Sequence, residues 1–158
     1  MPDIQVGQEA PDFALKDQSN QLRRLSEFRG RKHVLVTFYP LAFSGICTAE
    51  LCQLRDDLPS FDNDQVATVA VSVDSRYVLR AFAEHEGYRF TLLSDFWPHG
   101  EVARRYGVFN DERGFANRGS FIVDKRGVVR WLTVHQPTEP RDPDEYREAL
   151  AALLAEDA

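Results

Sequence analysis

An α/β fold, a mixed central sheet flanked by helices behind an N-terminal hairpin, follows from three observations on this 158-residue sequence. His33–Tyr39 and Val66–Val73 are nearly continuous in apolar residues, the pattern of strands buried on both faces. Segments with helical periodicity alternate with these strands in the earlier part of the chain. Two further strands then close around Lys125-Arg126-Gly127, a good hairpin turn. Alternating strands and helices give parallel pairs, and the closing hairpin adds antiparallel ones, so the sheet is mixed.

The elements follow in order. Phe13–Lys16 and Gln21–Leu25 read as short strands joined by the polar turn Asp17–Asn20, and Ser26-Glu27 starts a brief helical turn that stops at Gly30. His33–Tyr39 is the first buried strand, ended by Pro40. Gly45–Asn63 is helical, with Leu51, Leu54, Leu58 and Phe61 on one face and Pro59 expected to kink or divide it. Val66–Val73 runs into Asp74-Ser75, a helix cap for Arg76–Glu86, which Gly87 closes. Phe90–Leu93 is a third strand, and Glu101–Tyr106 a short helix. Gly119–Asp124 and Val128–His135 form the late hairpin, and Asp142 begins a final Ala- and Leu-rich helix that frays at Glu156-Asp157. With no linker or repeat, one domain over residues 1–158 is expected. The order is compatible with a thioredoxin-like fold, in which a helix N-terminus presents a thiol.

Composition narrows the function. The sequence is 43% hydrophobic and 28% charged, with a formal net charge of −6. It has no basic stripe to bind nucleic acid. Its longest apolar run, Val34–Phe43, is far too short to span a membrane. The N-terminus carries Asp3 and Glu9 and lacks a charged-then-apolar leader pattern, so a cytoplasmic protein is expected. In that setting its two cysteines are read as reduced thiols with chemistry to perform. His33, His85, His99 and His135 are scattered and suggest no metal site.

The segment Pro40-Leu41-Ala42-Phe43-Ser44-Gly45-Ile46-Cys47 carries that chemistry. It puts Cys47 in the first turn of a helix, among unpaired N–H groups at the positive end of the macrodipole. An ordinary cysteine, with pKa about 8.5, is only about 3% thiolate at pH 7, and thiolate is the reactive form. A helix end contributes about 1 kcal/mol toward ionisation, and a guanidinium about 4 Å away several more. An arginine partner is therefore expected. Arg118 is the preferred candidate, at the mouth of a strand and followed by Gly119, which permits close backbone approach. Ser44 offers a hydroxyl that donates and accepts, first-turn N–H groups can meet a developing oxyanion, and Pro40 shapes the wall without adding a donor.

The Pro-x-x-x-Ser-x-x-Cys spacing resembles the signature of peroxiredoxins, the thiol peroxidases, and the resemblance extends from about Val6 to Leu154. Leu93-Ser94-Asp95-Phe96-Trp97-Pro98-His99-Gly100, Tyr106-Gly107-Val108-Phe109-Asn110 and Ala116-Asn117-Arg118-Gly119 are similar to the AhpE-type branch. The resemblance implies that Cys47 is the peroxidatic cysteine, that Pro40, Ser44 and Arg118 complete its surroundings, and that Glu50 orients the arginine. It also implies reduction of hydrogen peroxide, organic hydroperoxides and, as a third candidate, peroxynitrite, through a sulfenic acid. The reductant would be a thiol, either thioredoxin or mycoredoxin with mycothiol. No cofactor is implied, and a homodimer is expected.

Two positions depart from the pattern. Ser44 stands where many peroxiredoxins carry threonine; serine keeps the hydroxyl and loses a methyl. Cys52 is absent from the AhpE-type proteins, whereas the bacterioferritin-comigratory branch places a resolving cysteine at this spacing. In an intact helix five residues rise about 7.5 Å and turn about 140°, too far for a disulfide, so pairing with Cys47 requires the first turns to unwind. On its own residues Cys52 is equally an inert core thiol beside Leu51 and Leu54. A thiol–disulfide oxidoreductase would want cysteine at position 50, which is glutamate. A peroxide-sensing relay or chaperone-like module with little turnover is the alternative function.

Overall fold

The computed structural model describes residues 4–157, so Asp3 of the N-terminal pattern lies outside the described residues. Strands β1 (Ala14–Asp17) and β2 (Leu22–Arg24) pair antiparallel, with Ala14 opposite Arg24. Asp17 Oδ1 ties their turn by accepting from the Ser19 and Gln21 N–H groups at 2.8 and 2.9 Å. A 3₁₀ turn over Leu25–Phe28 leads to β3 (His33–Phe38). Then come α1 (Gly45–Asp56), α2 (Leu58–Phe61), β4 (Val66–Ser72), α3 (Arg76–Glu86), β5 (Thr91–Ser94) and α4 (Glu101–Arg105). The small strands β6 (Phe109–Asn110) and β7 (Phe115–Ala116) precede β8 (Arg118–Val123), β9 (Val129–His135) and α5 (Pro143–Glu156).

The seven-stranded sheet runs β2-β1-β5-β4-β3-β8-β9. Its centre, β5-β4-β3, is parallel, and every flanking pair is antiparallel. Side-chain alternation splits the core into two layers. From β3, Val34, Val36 and Phe38 pack with Phe13, Phe28, Tyr106 and Phe121 on one face. Leu35 and Tyr39 join Cys47, Leu51, Leu54, Phe82, Leu150 and Leu153 of α1, α3 and α5 on the other. This mixed sheet with helices on both faces is the thioredoxin-like arrangement expected from the element order.

Boundaries follow local chemistry. Pro59 divides the long helical segment: α1 stops at Asp56, and α2 restarts with Pro59 in its first turn, where a missing N–H does no harm. Ser75 Oγ caps α3 by accepting from Val78 N–H at 3.2 Å, and Gly87 closes it at φ 73°. β5 starts one residue later than expected and reaches Ser94, while β8 starts one residue earlier and takes in Arg118. The β6–β7 ribbon was not expected. Two-residue strands show no periodicity, and the turn is built by Asn110, whose Oδ1 accepts from Glu112 and Arg113 N–H at 3.1 Å. Among the described residues no helix is long and apolar enough to cross a membrane.

Candidate active site

The site begins where β3 ends. Tyr39 N–H makes a last bond to the Val71 carbonyl at 3.0 Å, and Pro40 has no N–H with which to continue. The chain then turns sharply into α1. Asp74 Oδ2 holds Ala42 N–H at 2.8 Å, and Phe43 takes a left-handed φ of 67°. That backbone is unfavourable by about 1–2 kcal/mol for a side chain other than glycine. The Phe43 ring offsets it by packing on Phe82, with centroids 4.8 Å apart.

Ser44 is the N-cap residue, and its hydroxyl donates to the Leu41 carbonyl at 2.9 Å rather than capping the helix. The hydroxyl proton is thus committed to the loop, leaving the oxygen lone pairs to accept. The first intrahelical bond runs from Thr48 N–H to the Ser44 carbonyl at 2.9 Å. Gly45, Ile46 and Cys47 therefore contribute the orphan donors of the helix start, as the sequence led us to expect of the cysteine.

Cys47 is fully buried, 0% exposed. Arg118 Nη2 donates to its sulfur at 3.3 Å. The same guanidinium donates through Nη1 to Glu50 Oε1 at 2.5 Å and through Nε to the Pro137 carbonyl at 2.7 Å. All three of its nitrogens are occupied, so the head group cannot rotate away from the thiol. Gly119 permits this placement, because a Cβ there would come within 2.6 Å of Val108 Cγ1.

A second arginine, which sequence reasoning did not single out, completes the cluster. Arg141 grips Glu50 in a fork, Nε to Oε2 at 3.0 Å and Nη2 to Oε1 at 2.8 Å, and its backbone N–H adds a bond to Oε2 at 2.7 Å. Its Nη1 donates to the Phe38 and Gly119 carbonyls and to Ser120 Oγ, at 2.7, 3.0 and 2.9 Å. The signal was Pro140-Arg141-Asp142-Pro143: two prolines stiffen the loop around one arginine just before a helix. Tyr146 supports it from α5 through Ser120 Oγ at 2.7 Å.

Glu50 is therefore a buried ion-pair partner and not a surface carboxylate, and Arg118 is part of the cysteine's surroundings and not a remote salt bridge. Burial pushes the Glu50 carboxyl up, but the hydrogen bonds and charge of Arg141, with the charge of Arg118, outweigh it and hold the group below the usual carboxylate range. Two guanidiniums against one carboxylate leave one unit of positive charge unbalanced, and it faces the Cys47 sulfur.

Cys52 lies apart from this cluster, half-buried and turned toward Glu86 and Tyr88. His99 is a loop residue whose Nε2 meets the Gly114 carbonyl at 2.7 Å. Phe38 is core, whereas Phe43, Phe96 and Trp97 are exposed. Among the described residues no three His, Cys, Asp or Glu side chains converge on a point where a metal could sit.

Comparison with known proteins gives a consistent picture. The model of the AhpC/TSA family matches residues 6–132. Alkyl hydroperoxide reductase E of Mycobacterium tuberculosis is 52% identical over 152 residues, covering 96% of this chain and 99% of that protein. The reduced 2-Cys peroxiredoxin of Plasmodium vivax superposes with a TM-score of 0.85 at 30% identity, over 96% of this chain and 83% of that one. Peroxidoxin BcpB of Mycobacterium tuberculosis superposes with a TM-score of 0.81 at 30% identity, over 95% and 98%. The chain belongs to the AhpC/TSA family and is a peroxiredoxin, a thiol-dependent peroxidase.

Proposed function

We propose that Cys47 is the peroxidatic cysteine, and that the unbalanced positive charge of the Arg118–Glu50–Arg141 cluster serves its thiolate. The observation that carries this reading is the Arg118 Nη2 bond to Cys47 Sγ at 3.3 Å. The sulfur attacks the terminal oxygen of the peroxide, the O–O bond breaks, and the departing oxygen leaves as water or alcohol once protonated. Cys47 is left as a sulfenic acid. Arg118 and the orphan N–H groups of α1 meet the charge that moves from sulfur to the departing oxygen. Ser44 accepts a hydrogen bond from the hydroperoxide O–H and so orients it. Pro40 closes the wall without a competing donor. Glu50 and Arg141 fix the Arg118 fork.

Hydrogen peroxide, organic hydroperoxides and peroxynitrite are the proposed substrates. Cys52 is the proposed resolving thiol, and its half-buried, polar setting supports that over an inert core role. The resulting disulfide would be returned to thiols by thioredoxin or by mycoredoxin with mycothiol. A cytoplasmic homodimer is the proposed form. Exposure of Tyr77, Phe96 and Trp97, at 68%, 53% and 80%, supports an apolar partner surface.

The test is peroxide consumption with thioredoxin and its reductase supplied and, in parallel, with mycoredoxin and mycothiol. Many equivalents are expected to be consumed per protein, and none by Cys47→Ser. Consumption that stops after one equivalent would favour sensing over catalysis.

A further inference from the structure

Leu51 and Leu54 flank Cys52 on α1 and are buried, whereas Cys52 turns its sulfur to two oxygens. Sγ donates to Glu86 Oε1 at 3.5 Å, and Tyr88 Oη lies 3.4 Å away. Both partners come from the end of α3. Glu86 is its last residue, and Tyr88 follows the cap Gly87.

Both are held in place. The Tyr88 ring packs edge-on against Phe82 and beside Phe90, with centroids 5.0 and 5.1 Å apart. Its hydroxyl donates to the Thr48 carbonyl at 3.3 Å, the carbonyl that helical geometry pairs with Cys52 N–H. Glu86 Oε2 meets His85 Nδ1 at 2.9 Å. Arg55 Nη1 stands 3.9 Å from Oε1 while donating to the Glu86 carbonyl at 2.7 Å. The titratable and charged groups around the carboxylate are thus Cys52 and Arg55 of α1, His85 of α3 and Tyr88 just beyond it.

We propose that Glu86 is a catalytic residue of the resolving step, accepting the Cys52 proton as that thiol attacks oxidised Cys47. The proposal rests on Cys52 being the resolving cysteine. Once Cys47 is a sulfenic acid, the Cys52 sulfur forms the S–S bond and the S–O bond of Cys47 breaks. The Cys52 proton passes to Glu86 and, through solvent, to the leaving hydroxide, which departs as water. One sulfenic acid and one thiol give one disulfide and one water, and Glu86 is regenerated. A thiolate attacks far better than a thiol, so a carboxylate already bonded to the thiol supplies the base where it is needed. Tyr88 Oη lies 3.4 Å from the Cys52 sulfur and bonds the Thr48 carbonyl, in the turn of α1 that has to open for the two sulfurs to meet.

The test is rapid mixing of reduced protein with one equivalent of hydrogen peroxide, acid quenching, and intact mass as a function of time and pH. The gain of about 16 mass units at the sulfenic acid and the later loss of about 18 at the disulfide are read in one series. In Glu86→Gln the second step is expected to slow about a hundredfold relative to the first. Its rate should then climb more steeply with pH than the wild-type rate, because hydroxide from solution has to take the proton that Glu86 no longer accepts. Added formate should restore the second step in Glu86→Ala. Should Glu86→Gln not fold, Glu86→Asp, with a carboxylate one methylene shorter, is expected to slow the step while keeping the wild-type pH dependence. A second step of wild-type rate and pH profile in Glu86→Gln would overturn the role of Glu86 and leave Cys52 as the resolving thiol. In Glu86→Gln, slowing without a changed pH profile, with no formate rescue of Glu86→Ala, would overturn it too, in favour of a structural role. A wild-type protein that never forms the disulfide would overturn the reading of Cys52, and the role of Glu86 with it.

Discussion

Arg118 Nη2 donates to Cys47 Sγ at 3.3 Å across 71 residues of sequence, and the neighbouring Nη1 is locked to Glu50 at 2.5 Å. One planar fork thus ties the helix start to the strand mouth. Charge-assisted hydrogen bonds of this kind contribute about 1.5–3 kcal/mol.

Arg118→Met should therefore slow oxidation by peroxide about 10- to 100-fold. Arg118→Lys should lie between, because an ammonium keeps the charge but cannot bond the sulfur, Glu50 and the Pro137 carbonyl at once. Stopped-flow rates of sulfenic acid formation, with melting curves as a control, check this.

Glu50 carries the countercharge for two buried arginines, so Glu50→Gln should destabilise the fold by about 3–5 kcal/mol. Its pH signature has a definite sign. The folded carboxyl lies below its unfolded value of about 4.3. The stabilisation is therefore present above that value and is lost as pH falls through the folded one. Urea unfolding from pH 6 down to pH 3 should show a steeper fall in wild type than in the variant.

Asp95 has the opposite sign. It caps the start of α4, accepting from Val102 and Ala103 N–H at 3.1 and 2.9 Å. Burial nevertheless raises its carboxyl to about 6, against the bonds from Ala103 and Val102. Above its unfolded value of about 3.9, the folded state holds the proton more tightly, so stability falls by about 2 kcal/mol as pH rises from 4 to 6 and levels off above about pH 7. Asp95→Asn should remove that slope, at the expense of one of the two cap bonds. Unfolding curves across this range decide it.

Gly119→Ala should push β8 from Val108, whose Cγ1 would lie 2.6 Å from the new Cβ. The expected loss is about 1–3 kcal/mol, with slower peroxide oxidation because Arg118 moves with its neighbour. Val108→Ala in the same chain should restore part of both, and a double-mutant cycle measures the coupling.

Much of this was legible in the sequence because it rests on local signals. The apolar runs of β3 and β4, the Ser75 and Gly87 caps, Pro59 and the Pro40–Cys47 spacing each act within a few residues. Arg118 could be singled out because a glycine follows it at a strand mouth. Arg141 carried only the local signal of its flanking prolines, since its partners Glu50, Phe38 and Gly119 come from three distant segments and meet only when the sheet forms. The setting of Cys52 was hidden for the same reason: Leu51 and Leu54 left a core thiol as open as a resolving one, and only the packing of α3 against α1 brings Glu86 and Tyr88 to it.

The most direct test of the central claim is the intact mass of reduced protein seconds after one equivalent of hydrogen peroxide, followed by peptide mapping. Oxidation is expected at Cys47, ending in a net loss of about two mass units as the Cys47–Cys52 disulfide forms. In Cys52→Ser it should stop at a gain of about 16 on Cys47. An unchanged mass, or oxidation mapped to Cys52 alone, would contradict the account.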